Sequence, residues 1–162
     1  MTTDLKPIQD EVLRRVGRNL VIFQQIEHML KAVLTHHKYE GPMDDLLEDR
    51  RVKAAAVSRS TLGTLVKGFS DEVLKDSEPE LPETEDGQIG WGSFTFNVIS
   101  KLDDRENTLP IQKSLKLITD ERNDLVHHFL PRWQPDSLQK LNDALAYLAA
   151  QRARVMPMHE FL

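Results

Sequence analysis

The chain has 162 residues, 40% hydrophobic and 29% charged, enough for one sizeable core and a single domain over residues 1–162. It holds no cysteine, which excludes a disulfide scaffold and thiolate metal ligation. No apolar run approaches the ~18 residues of a membrane span, so with the polar start MTTDLKPIQDE a soluble, cytoplasmic, non-membrane protein is expected. The net charge of −5 argues against broad nucleic-acid binding, but residues 71–86, DEVLKDSEPELPETED, carry −7 of it, leaving +2 on the rest; such a run reads as a solvated acidic loop.

In chain order, Leu5, Ile8, Val12, Val16, Leu20, Phe23, Ile26, Leu30 and Val33 recur three or four apart, the stripe of one long amphipathic helix. At ~1.5 Å per residue it would span roughly 45 Å. Pro7 is tolerated in its first turn, and Gly41-Pro42 supplies a stop. Gly17, in the interior, points to close packing or a slight bend. A second helix is predicted over 44–57 and a third from about Ser60, with Leu62, Leu65, Val66, Phe69 and Val73 inward. Residues 76–93, with Pro79, Pro82, Gly87, Gly90 and Gly92, read as a long loop, and SFTFNVI as a short strand or hairpin edge within 76–100. The fourth helix is expected from Asn107 or Thr108, with Ile111, Leu115, Ile118, Leu125 and Phe129 on one face and Pro131 ending it. The fifth opens with Asp136 as N-cap and Gln139 near capping-box spacing, then carries Leu138, Leu141, Leu145, Leu148 and Val155. The whole predicts an all-α bundle of four to five helices.

The chemistry-bearing stretch is ITDERNDLVHHFLPRW, residues 118–133. Arg122 falls on the stripe set by Ile118, Leu125 and Phe129, so its guanidinium must snorkel or find an anion, because an unpaired buried charge costs several kcal/mol. Asn123 and His127 share an adjacent face, with Asp120 and Asp124 nearby, and His127 and His128 sit where the carbonyl end of a helix favours a charged imidazole. An imidazole that moves a proton beside a guanidinium that holds developing charge suits cleavage of a phosphodiester, with no metal or cofactor needed.

Arg122-Asn123-Asp124-Leu125-Val126-His127 resembles the arginine, polar residue, three-residue gap and histidine of the HEPN superfamily of helical nucleases, and the preceding Glu121 is similar to many members. A shuffled chain with these 11 arginines, 5 asparagines and 6 histidines would show the spacing about 0.013 times. The resemblance implies a homodimer in which two copies of the motif meet in one cleft, and RNA cleavage through the ribose 2′-hydroxyl that leaves a 2′,3′-cyclic phosphate. Arg122 and His127 would be catalytic and Asn123 would orient them, with Glu121, Asp124 and His128 in support. It also implies a toxin–antitoxin or defence setting with a partner antitoxin. In that toxin branch a tyrosine two positions after the histidine accepts a nucleotide, but here Phe129 stands in its place.

Plainer readings stand beside this one. Arg122 would form a structural ion pair with Glu121 or Asp124, and His127 and His128 would cap the helix end. The protein would then be a non-catalytic helical dimerisation module, or one that binds nucleotide or RNA. Asp124 with His127, and His36-His37, offer metal-ligand pairs, but the paired Glu-x-x-His of a di-metal bundle is missing and no metal is expected. Arg14, Arg15 and Arg18, and Arg50, Arg51 and Lys53, read as solvated faces able to follow a nucleic-acid backbone. Trp91, Phe94 and Trp133 read as loop anchors or base-stacking platforms.

Overall fold

The structure, a computed structural model, describes residues 4–75, 90–99, 105–129, 132–133 and 135–162. Most of the acidic run, at 76–86, and the stop expected at Pro131 lie outside these residues. The fold is predominantly α-helical, with five α-helices and two small sheets among the described residues. No helix among them is long and apolar enough to cross a membrane. The chain packs as two compact units, Met1–Ile26 with Ser114–Leu162, and Glu27–Lys113.

The first unit is built on α1 (Lys6–His36, up to residue 26), α4 (Arg105–Asn123, from residue 114) and α5 (Leu138–Phe161). Hydrogen bonds set the helix directions. Arg15 reaches the Leu145 carbonyl, Asn19 the Leu148 carbonyl, and Gln25 meets His159, so α1 and α5 run parallel. Glu121 meets Gln151 and Arg154 while Asp124 meets Tyr147, so α4 runs antiparallel to α5. Between them Val12, Ile22, Phe23 and Ile26 join Leu115, Ile118, Leu125 and Phe129 and Leu141, Leu148, Val155 and Met158 in a core. Each such side chain contributes about 1.5–3 kcal/mol of burial. The predicted stripe is only partly buried, since Val16 and Leu20 are half-exposed and Ile22 replaces them inside.

Gly17 is exposed, and a Cβ there would meet nothing within 4 Å, so no close approach calls for it. The N-cap of α5 is Ser137, not Asp136: its side chain accepts the Lys140 N–H at 3.3 Å, while Asp136 pairs with the Lys140 ammonium. Two cap-competent residues stand side by side there, and the extended backbone of Ser137 decides between them. α4 starts at Arg105, a little before the expected asparagine.

In the second unit, α1 ends at His36 and Gly41-Pro42 is not its stop. Lys38–Pro42 forms β1, paired antiparallel with β3 (Trp91–Thr95) in the register Lys38↔Thr95 to Pro42↔Trp91. The predicted strand is therefore real, but its partner lies far back in sequence and not in a local hairpin, and the expected loop gives way to strand at Trp91. A two-residue strand β2 (Leu74–Lys75) pairs parallel with β4 (Val98–Ile99). A short 3₁₀ turn (Met43–Asp45) leads into α2 (Leu46–Ser58), which buries none of its residues. Thr61 caps α3 (Leu62–Gly68) by accepting the Thr64 N–H, and a π-helical turn (Phe69–Val73) follows. Leu62, Leu65, Phe69 and Val73 point inward as predicted, while Val66 is half-exposed.

Candidate functional site

The motif begins in the last α-helical turn of α4 and ends in a π-helical turn, Asp124–Phe129. Such turns are rare, cost regular hydrogen-bond geometry and recur at functional sites. In a regular α-helix five positions rotate by about 500°, which would leave Arg122 and His127 roughly 140° apart around the axis. A turn closed by i→i+5 hydrogen bonds takes one more residue to come round, so the same five positions approach a single full turn. Arg122 and His127 are thereby brought more nearly onto one face, while Leu125 and Phe129 remain buried as the anchor.

Arg122 is half-exposed, and its guanidinium donates to the Asn123 side-chain oxygen at 3.1 Å. No carboxylate among the described residues lies within ion-pair distance of it, because both neighbouring acids are held by other arginines. Glu121 takes Arg154 at 2.5 Å and Asp124 takes Arg132 at 2.7 Å. The structural ion pair expected of Arg122 with Glu121 or Asp124 is therefore not formed among the described residues; those acids pair with Arg154 and Arg132 instead. His127 and His128 are exposed, with their rings edge to face at 6.4 Å between centroids. The capping role expected of them falls to Arg132, whose Nε donates to the His128 carbonyl at 2.9 Å. Asn123, also exposed, stands beside Arg122 and is engaged by it alone among the described hydrogen bonds.

Beneath this exposed set lies a buried polar network. Gln151, with no exposed surface, donates from its amide to the Glu121 carbonyl (3.0 Å), the Glu121 carboxylate (3.2 Å) and the Tyr147 hydroxyl (3.1 Å), and accepts from Asn19 at 3.0 Å. Tyr147 in turn donates its hydroxyl to Asp124. That hydrogen bond, with Arg132 and His128 nearby, holds the Asp124 carboxyl below its ordinary range, while burial and then Asp124 itself push the Tyr147 phenol upward. The two acids of the motif therefore fasten α4 to α5 on either side of Arg122. Asn19 of α1 is a packing residue, its buried amide tied to the Leu148 carbonyl and to Gln151. Tyr147 and Gln151 carried no motif signal; the one hint was two polar residues spaced four apart on the otherwise apolar face of the fifth helix.

Phe129 is buried, with its ring nearly parallel to those of Tyr147 (5.5 Å, 14°) and Trp133 (6.3 Å, 16°). The position that holds an accepting tyrosine in the toxin branch is here part of a packed aromatic stack. Trp133 is thus a packing residue, as Phe94 is against Tyr39 and Arg50, whereas Trp91 is 52% exposed. The basic clusters are largely neutralised: Arg14 and Arg15 share Glu11, Arg51 takes Glu48 and Lys53 takes Asp49. Arg18 differs, since its Nε is buried without a hydrogen-bond partner among the described residues and burial, together with Arg152, lowers its pKa. His37 is buried between the Leu34 carbonyl and Glu72, and no group of three metal-capable side chains comes together among the described residues.

Comparisons with protein-family models, with curated proteins and with solved structures found no match to this chain.

Proposed function

We propose that this protein is a metal-independent endoribonuclease that acts as a homodimer, with Arg122 and His127 of two protomers lining one cleft. The observation that carries the reading is the state of Arg122: a half-exposed guanidinium at the end of α4 whose acidic neighbours are bound elsewhere, followed directly by the π-helical turn that carries His127. A cation without a counter-ion among the described residues is suited to a phosphodiester. In the proposed reaction one His127 imidazole takes the proton of the ribose 2′-hydroxyl as that oxygen bonds to phosphorus. The bond from phosphorus to the 5′-oxygen breaks, and the imidazolium of the second copy returns a proton to the departing oxygen. The products are a 2′,3′-cyclic phosphate and a 5′-hydroxyl. Arg122 holds the charge on the non-bridging oxygens, and Asn123 fixes the guanidinium plane. Glu121 and Asp124 position the helix through Gln151, Arg154, Tyr147 and Arg132, and His128 lies beside the site. Work in a toxin–antitoxin or defence system belongs to the same proposal, with any antitoxin acting by contact, since Phe129 offers no acceptor hydroxyl.

The test is incubation of labelled RNA with purified protein in EDTA, beside Arg122→Ala and His127→Ala, after light scattering has given the mass in solution. The proposal expects dimers and cleavage in EDTA that falls at least 100-fold in each variant while helicity and mass are unchanged. Intact RNA with the parent protein, or cleavage that survives either substitution, would leave the polar cluster as part of a binding or dimerisation module.

A further inference from the structure

Beside the motif, α5 and the segment after α4 form an open pocket of about 340 Å³ lined by Phe129, Arg132, Trp133, Lys140, Asp143, Ala144 and Tyr147. We propose that this pocket accepts an unstacked nucleobase, either of a free nucleotide or of a single-stranded RNA.

Two observations point to a planar heterocycle. First, the wall is aromatic, with three rings within about 16° of parallel in each contacting pair, and aromatic faces stack bases of any sequence. Second, the rim carries the cations Arg132 and Lys140, which pair with Asp124 and Asp136, so they supply polar edges next to the sugar and phosphate without forming a dedicated anion hole. The volume lies within the range of about 300–1,000 Å³ of small-molecule sites, at the low end that suits one nucleoside unit. Ala144, buried at the pocket wall, leaves the space that a larger side chain would fill.

The inference goes beyond the ribonuclease reading and does not rest on it, because binding is measured without cleavage. Trp91 is exposed, so Trp91→Phe leaves Trp133 as the sole tryptophan and its fluorescence as a reporter of stacking. This protein is titrated with the four ribonucleoside 5′-monophosphates, a short oligoribonucleotide, ribose 5-phosphate and N-acetyltyrosine amide. The expected result is saturable quenching by the nucleotides or the oligonucleotide, with ribose 5-phosphate and the tyrosine amide at least 10-fold weaker. Quenching is expected to be lost in Ala144→Leu and weakened several-fold in the surface variant Lys140→Glu, with circular dichroism unchanged in the latter. Tighter binding of the oligonucleotide assigns the pocket to a base within a chain, and tighter binding of a monophosphate to a free nucleotide. No saturable quenching by any base-containing probe overturns the proposal. So does quenching that survives both substitutions, or equal binding of ribose 5-phosphate or of the tyrosine amide. EDTA-resistant cleavage in the presence of any of these outcomes would leave the catalytic reading intact.

Discussion

Gln151→Ala tests the network that holds the motif in place. The substitution removes four side-chain heavy atoms from a residue with no exposed surface. If the walls do not collapse, the ~60 Å³ left behind costs about 1.5 kcal/mol at ~24 cal/mol per Å³. The hydrogen-bond loss is moderated because three of the four partners keep another contact: Asn19 retains the Leu148 carbonyl, Tyr147 retains Asp124, and the Glu121 carboxylate retains Arg154. That loss is therefore about 1–1.5 kcal/mol in all, and the total about 3 kcal/mol. Gln151→Leu fills the space while deleting the same hydrogen bonds, so it should cost about half as much. Urea unfolding followed by circular dichroism reads both values, with a melting temperature lower by about 6–12 °C for the alanine variant. A loss under ~1 kcal/mol for alanine, or leucine as damaging as alanine, would refute this account of the network.

Gly17→Ala should stabilise the protein by about 0.5–1 kcal/mol in the same assay, because the site is an exposed helix interior with open space for a methyl group. Ser137→Ala should cost about 1 kcal/mol and Asp136→Ala much less, since only Ser137 satisfies an N–H of the first turn of α5; equal losses would reinstate Asp136 as the cap. The Asp124 carboxyl is held low in the folded protein, so its contribution is present above the ordinary carboxylate range and is lost as pH falls; Tyr147 is held high, so its contribution is present below the ordinary phenol pKa and is lost as pH rises. Tyr147→Phe should accordingly flatten the melting-temperature profile at both the acid and the alkaline end, and a profile that keeps its shape would contradict the coupling.

Helix positions were largely legible because burial repeats along them: Leu62, Leu65, Phe69 and Val73, or Leu115, Ile118 and Leu125, record an inward face in their spacing alone. The strand Lys38–Pro42 left no such record. It contains a glycine, a proline and two charges, and it exists because Trp91–Thr95, far along the chain, pairs with it. Gln151 and Asn19 were hidden for a related reason. A polar residue reads as exposed unless its partners are known, and theirs lie on other helices. For the candidate site, the spacing drew attention to Arg122 and His127, but not to which arginines neutralise Glu121 and Asp124. That depends on Arg132 and Arg154, which only the folded chain brings near.

The widened turn at Asp124–Phe129 ties the spacing of the pair to the winding of the backbone. Excising a single residue such as Val126 and letting the backbone relax into ordinary α-helical winding would set arginine and histidine four apart, about 40° round the axis, so the pair would keep a common face. A family tree built on substitutions alone would overlook that event. A related chain with its arginine and histidine four apart in an unbroken helix could therefore present the same pair.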